Sequence, residues 1–225
     1  MIITIDGPAG SGKSSTAKAL ARKINFKYLD TGAMYRALTF KLLKRNVDPR
    51  DIRSLNNILE DTRIDLVSNH DGLRVILDGE DVTDLIRSQE INEMVSDVSV
   101  IKEVRDFLVP RQRRFAEGND VIAEGRDIGT VVFPDAELKI FMIASLDQRS
   151  RRRLLEENER GNNSDMKTVQ SVLEKRDFID SHRDVSPLKK ADDAVVIDTS
   201  DLSFDEQVDM IVDLYNKLRD TRNKK

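Results

Sequence analysis

The chain of 225 residues is 39% hydrophobic and 35% charged, enough for one α/β domain with insertions and a highly charged surface. It has no cysteine, which excludes disulfides, thiolate metal sites and a thiol nucleophile and fits a reducing cytoplasm. A net charge of −4 argues against a broad nucleic-acid surface; no apolar stretch is long enough to cross a membrane, and a strand expected from Ile2 leaves no room for a signal peptide.

That first strand is the short apolar run Ile2-Ile3-Thr4-Ile5. Gly7-Pro8-Ala9-Gly10-Ser11-Gly12-Lys13-Ser14 follows, with the spacing glycine, four residues, Gly-Lys-Ser. Ser15 then leads into a helix carrying Ala17, Leu20, Ala21 and Ile24 on one face. Strand, glycine-rich turn and helix together predict a phosphate-binding loop for ATP over Gly7 to Ser15. Its backbone N–H groups and the helix N-terminus form an anion site. Lys13 can reach the β/γ-phosphates, and the Ser14 hydroxyl can join a Mg²⁺ shell.

Phe26-Lys27-Tyr28-Leu29-Asp30 predicts a second strand, and Thr31 can cap a helix over residues 33–43. Alternating strand and helix argues for parallel strands, with the site at their carboxyl ends. Asp30, Thr31 and Arg36 are therefore expected near the phosphate loop. Arg63–Val67 and Leu73–Leu77 predict an antiparallel hairpin turning through Asn69-His70-Asp71-Gly72, within an insertion carrying substrate contacts. Residues 90–117 are helical in pattern, with Pro110 a kink or a boundary between two helices. Arg111, Arg113 and Arg114 are expected on a solvated face.

Val121-Ile122-Ala123 predicts the third parallel strand, ending at Glu124-Gly125-Arg126-Asp127-Ile128-Gly129. Glu124 can accept hydrogen bonds from metal waters. Asp6 is a second candidate, with the alternative that it braces the phosphate loop through backbone N–H groups. Leu138–Ala144 predicts a buried strand, and the arginine-rich helix after it, expected to end at Gly161, suits a mobile lid closing on polyphosphate. A helix over 165–181 and a strand over 194–199 follow. Ser203 and Glu206 then form a capping box for a last amphipathic helix, with a frayed tail from Arg219. His70 and His182 are expected to be exposed.

Arg36, Arg126 and Arg183 stand at three separated strand or helix ends. Guanidinium forks there suit a second phosphate, so a phosphotransferase holding two polyanions is expected rather than a nucleotide hydrolase. The rival is a nucleotide-dependent switch or nucleic-acid-binding ATPase that uses the arginine run.

The stretches Ile5–Ser14, Leu29-Asp30-Thr31-Gly32-Ala33-Met34-Tyr35-Arg36, Glu124–Ala136 and Arg176-Asp177 through Ser186-Pro187-Leu188 resemble the bacterial cytidylate (CMP) kinases. The resemblance runs from Ile2 to Leu218. It implies transfer of the ATP γ-phosphoryl group to CMP or dCMP with Mg²⁺; a kinase of the same fold for UMP, dTMP or shikimate is the near alternative. It implies that Arg36, Arg126 and Arg183 hold the monophosphate, with Thr31 close by. Asp127, Arg105 and Ser96 would read the cytosine, and Asp180 and Arg176 would hold the sugar. Arg149, Arg152 and Arg153 would serve the lid, and transfer would fall to Lys13, Arg126, Arg183, Arg149 and Arg153. The family usually carries Asp where this chain has Glu124. The implied fold is α/β: a P-loop three-layer architecture with a central parallel five-stranded sheet flanked by helices. It adds an inserted antiparallel-sheet/helix NMP-binding region at about 58–97 and a short lid at about 146–165, on a core of 1–57, 98–145 and 182–225. A cytoplasmic monomer with no nucleic-acid or membrane partner completes the expectation.

Overall fold

Residues 1–69, 72–159 and 164–222 are described in the computed structural model. The N-terminal apolar run forms β1 (Ile2–Asp6), and the glycine-rich turn after it opens α1 (Lys13–Ile24). Asn25, at φ 57°, ends α1 in the left-handed conformation and returns the chain to β2 (Lys27–Asp30). Next come α2 (Thr31–Lys44) and α3 (Ile52–Glu60), then the small strands β3 (Ile64–Asn69), β4 (Gly72–Leu77) and β5 (Glu80–Asp81). A short 3₁₀ turn (Leu85–Arg87) leads to α4 (Gln89–Ser99), α5 (Lys102–Ala116) and β6 (Val121–Gly125). A π-helical turn (Ile128–Val132) precedes β7 (Leu138–Ile143). The chain closes with α6 (Leu146–Glu159), α7 (Met166–His182), β8 (Val195–Asp198) and α8 (Phe204–Arg222).

β1, β2, β6, β7 and β8 form a parallel sheet in the order β2-β6-β1-β7-β8. β2 and β6 alternate their side chains between two apolar layers, as a pleat requires. In β6, Val121 and Ala123 pack with Leu38 of α2 and Leu108 of α5, while Ile122 packs with Ile3, Ile5, Leu20 and Ile211 on the other face. Helices therefore cover both faces. β1 is the central strand, and the chain leaves it to one side through β2 and β6, then to the other through β7 and β8. The turn after β1 thus sits where the strand order reverses, the place where such sheets bind ligands.

The three small strands form a separate antiparallel sheet, with Ile64 opposite Leu77 and Asn69 opposite Gly72. Ile64, Val75 and Leu77 bury one face of it in the same cluster as Leu42, Leu55 and Leu59. Lys41 of α2, buried, reaches out to Asp78 at 2.7 Å and donates to the Asp61 carbonyl. The expected hairpin turn at Asn69–Gly72 includes His70 and Asp71, which lie outside the described residues, as does the helix end expected at Gly161.

Four local expectations change. Thr31 is not a cap: Asp30 caps α2, accepting from the Ala33 N–H at 2.9 Å, and Thr31 is the first helical residue. Pro110 does not separate two helices. It lies inside α5, and the break falls at Ile101, which is extended at φ −74°, ψ 126°. Pro110 is exposed, so the Asp106 carbonyl that it leaves without a helical donor can turn to water. Arg113 is more than a solvated side chain, since it donates to the carbonyls of Val132 at 2.9 Å and Val131 at 2.8 Å. Arg111 lies 3.4 Å over the Phe107 ring. The tail is helical to Arg222, three residues past Arg219.

Candidate active site

The phosphate loop is pressed against the end of β7. Gly7 has φ +153°, and a Cβ there would stand 2.1 Å from the Met142 carbonyl oxygen, so only glycine fits. Lys13 folds back over the loop and its Nζ donates to the Pro8 carbonyl at 3.1 Å. Burial, and then the neighbouring Arg126 charge, push the Lys13 ammonium down to about 7; Glu124 works in the opposite direction. The Ser11 hydroxyl is buried without a protein partner. Ser14 and Ser15 open α1 on its exposed side.

α6 braces the loop from behind. Arg149 is buried and donates to the carbonyls of Ala9 at 3.2 Å and Ala144 at 3.1 Å, and pairs with Asp177 at 2.5 Å. Arg152 reaches the Ser11 carbonyl at 3.3 Å and the Thr199 carbonyl at 2.6 Å. Thr199 itself donates to the Ser11 carbonyl at 3.0 Å. Arg153 pairs along its own helix with Glu156 at 3.1 Å and Glu157 at 2.6 Å. The three arginines expected to act together thus divide between loop support and the helix surface.

The turn after β6 is fixed from β1. Asp6 Oδ1 accepts from the Ile128 N–H at 2.8 Å, and Oδ2 from the Gly129 N–H at 2.7 Å. Asp6 is therefore a brace, but of the Gly125–Gly129 turn and not of the phosphate loop. Burial lifts its carboxyl to about 6 even against those two amides. Gly125 lets the turn approach α2: a Cβ there would lie 2.6 Å from Thr31 Oγ1, whose proton goes to the Glu124 carbonyl at 2.8 Å.

Glu124 is buried at the end of β6. Its Oε1 accepts from the Ser14 hydroxyl at 2.6 Å and from the Tyr28 hydroxyl at 3.2 Å. Burial raises the Glu124 carboxyl, with Asp30 adding to the effect. A serine hydroxyl beside a buried carboxylate is an all-oxygen donor set that fits a hard, hydrated cation such as Mg²⁺. Among the described residues no group of three or more His, Asp or Glu is arranged to hold a metal, so such a cation would take most of its ligands from nucleotide and water.

Facing the loop is a second cationic cluster. Arg126 Nε donates to Asp180 Oδ2 at 2.7 Å, and Arg176 Nε stands 4.0 Å from the same oxygen. Arg176 Nε is buried with no hydrogen-bond partner. Burial, then the Arg126 and Arg36 charges, lower its guanidinium to about 9. Arg36 Nε donates to Asn92 Oδ1 at 3.4 Å, and burial lowers its guanidinium too, with Asp30 working in the opposite direction. Against burial, Arg126 and Arg176 hold the Asp180 carboxyl below its ordinary value. Under-neutralised, partly unpaired guanidinium groups next to Lys13 make a region short of negative charge.

Asp127 lies deeper. Arg105 Nη2 donates to its Oδ2, and Arg183 Nη2 to Oδ1 at 3.3 Å. Both arginines are oriented by Ser186, whose hydroxyl accepts from Arg105 Nε at 3.2 Å and whose carbonyl accepts from Arg183 Nε at 2.6 Å. Ser186 has φ +52°, a left-handed conformation that aims both acceptors at the pair. Arg105 also donates to the Ser99 carbonyl at 3.2 Å, at the end of the helix that carries buried Ser96. The sequence reading includes Ser186 only in a stretch that carries the family resemblance, and it gives no role to Ser186, Asn92, Tyr28 or Thr199. Proline disfavours helix for the residue ahead of it, so Pro187 marks an irregular segment but does not foretell the left-handed backbone of Ser186.

The chain and its fold have known counterparts. A family model described as Cytidylate kinase matches residues 3–217. A cytidylate kinase of Geobacillus sp. (strain WCH70) is 47% identical over 96% of this chain and 96% of its own. A bifunctional pantoate ligase/cytidylate kinase of Prochlorococcus marinus (strain MIT 9312) is 51% identical over 96% of this chain. The chain spans only 42% of that bifunctional relative's length. An uncharacterized protein from Eubacterium ventriosum ATCC 27560 shares the fold at a TM-score of 0.51 and 15% identity, over 96% of this chain and 98% of that one.

Proposed function

Because the chain belongs to the cytidylate kinase family, we propose that it moves the γ-phosphoryl group of ATP to CMP or dCMP, giving ADP and CDP or dCDP. The observation that carries the reading is the pairing of two anion sites across Lys13. The phosphate loop lies on one side, and Arg36, Arg126 and Arg176 lie on the other, with Arg183 behind them on Asp127. A hydrolase needs only the first. In this reading residues 7–15 bind ATP, and Arg36, Arg126 and Arg183 hold the acceptor phosphate beside Thr31. Asp127, Arg105 and Ser96 face the cytosine, while Asp180 and Arg176 take the sugar. The insertion at about 58–97 carries the acceptor side, and residues of about 146–165 form the lid.

An acceptor phosphate oxygen attacks the γ-phosphorus as the bond to the β–γ bridging oxygen breaks. The electron pair of that bond leaves with ADP. Negative charge shifts onto the bridging oxygen and stays spread over the transferring oxygens. In this reading Lys13, Arg126 and Arg183 offset that charge, held in advance by burial and by Asp180 and Asp127. Arg149 fixes the loop, and Arg153 is the lid arginine left to reach the phosphates. Ser14, with Glu124 through water, would hold Mg²⁺, which supplies charge neutralisation on the triphosphate when bound. Asp6 would act on that shell only through the turn it braces.

Cytosine offers a 4-amino donor where uracil offers a carbonyl, so the Asp127 carboxylate, an acceptor, favours the first and meets only another acceptor in the second. We extend the proposal to a cytoplasmic monomer with no nucleic-acid or membrane partner. Among the described residues no helix is long and apolar enough to cross a membrane. Mixing the protein with ATP and single monophosphates tests the reading. Rapid ADP formation with CMP and dCMP, and none with GMP, is expected. ADP formation that needs single-stranded nucleic acid, with a steep salt dependence of binding, would favour the rival ATPase.

A further inference from the structure

We propose that Tyr28 is a positioning residue that fixes the Glu124 carboxylate for a hydrated divalent cation; this rests on the reading of Ser14 and Glu124 as the cation-facing pair. Glutamate carries one methylene more than aspartate, so its carboxylate has an extra rotatable bond to restrain. Two donors supply the restraint. The Ser14 hydroxyl reaches Glu124 Oε1 at 2.6 Å, and the Tyr28 hydroxyl reaches the same oxygen at 3.2 Å. Both bonds land on Oε1 and neither uses Oε2, so the terminal torsion is set while the second oxygen keeps its acceptor capacity.

Tyr28 is suited to the task because its ring is itself fixed. It is buried in the apolar layer formed by Leu20, Ala21 and Ile122. It sits two residues before Asp30 on β2, and Asp30 is in register with Glu124. Asp30 is already committed to capping α2. Tyr28 is then the β2 side chain that donates to Glu124 rather than repelling it. Ser14 lies on α1 beside the triphosphate, so its hydroxyl must serve a cation and Glu124 together. Tyr28 holds the carboxylate from the sheet independently of that demand.

Tyr28→Phe removes the donor and keeps the buried ring. The readout is Mn²⁺ affinity in the presence of saturating ADP, followed by electron paramagnetic resonance, with ADP affinity in chelator and the melting temperature as controls. Tyr28→Phe is expected to weaken Mn²⁺ by about 10-fold, with metal-free ADP affinity unchanged. In a Glu124→Asp background, where the carboxylate is too short to share both donors, Tyr28→Phe is expected to cost nothing further. Unchanged Mn²⁺ affinity in Tyr28→Phe, an equal loss in both backgrounds, or no Mn²⁺ binding by the unaltered protein overturns the proposal. Turnover of CMP by the unaltered protein is measured alongside. If CMP is not a substrate while the Tyr28–Glu124 coupling persists, the acceptor assignment falls and the positioning role stands.

Discussion

Lys13 is the residue whose charge state the site sets most tightly. Burial and Arg126 lower its ammonium to about 7 when no phosphate is bound. A bound polyphosphate favours the charged form and raises it again. Between the two values, binding therefore takes up a proton, and affinity falls as pH rises from about 7 toward the bound value. Calorimetry of ADP binding at about pH 8, where the phosphates are already ionised, in two buffers of different ionisation enthalpy should show net proton uptake. Proton release, or none, would remove Lys13 from contact with the phosphates. Asp127 offers a second test. Asp127→Ala leaves Arg105 and Arg183 buried without their partner and should cost about 3 to 5 kcal/mol of stability. Asp127→Asn keeps an acceptor, should cost less, and should still lose the preference for CMP over UMP while ATP binding persists. An equal loss of ATP affinity would make Asp127 structural. At this scale the sequence reading names Lys13 and Ser14 from motif spacing, Arg126 from its place at a strand end, and Asp127 from the family resemblance. Ser186 and Tyr28 are given no role there, because what each does rests on bonds that join positions 81 and 96 residues apart.

The elements were easier to read than their ends. Hydrophobic spacing finds most of the strands and helices, because each of these buries a face in an apolar cluster; α3 and β5 are not foreseen. It does not locate the break at Ile101, since proline is the only visible breaker and Pro110 is tolerated on an exposed helix face. It also sets the α2 cap one residue late, at Thr31 instead of Asp30, both being competent cap residues. Lys41 links the core helix α2 to the antiparallel insertion through Asp78 and the Asp61 carbonyl. Its buried stem suits methionine, and Asp78 is exposed enough to hydrate. Lys41→Met should lower the opening free energy of β3 to β5 by about 1 kcal/mol. Faster amide exchange there, with a raised KM for CMP and an unchanged KM for ATP, would mark the insertion as acceptor-side. A raised KM for ATP alone would contradict that assignment.

Across the whole molecule, the central position of β1 puts the phosphate loop where the strand order reverses. α2, the turn after β6 and α7 then bring Arg36, Arg126, Arg176 and Asp180 to the opposite side of the same crevice. Motif order along the chain foretells that meeting, but not how the arginines are held. That depends on carboxylates and carbonyls from distant elements, and on α6, whose arginine run reads as a lid while Arg149 is buried under the phosphate loop. The chief claim is that one crevice joins a triphosphate to a cytosine monophosphate. Its most direct measurement is kcat/KM for CMP against UMP at saturating ATP, with ADP formation in the absence of any acceptor as the baseline. CMP should be preferred by at least about tenfold, with the acceptor-free rate far below both; equal values for the two pyrimidines, or an acceptor-free rate that matches them, would contradict it.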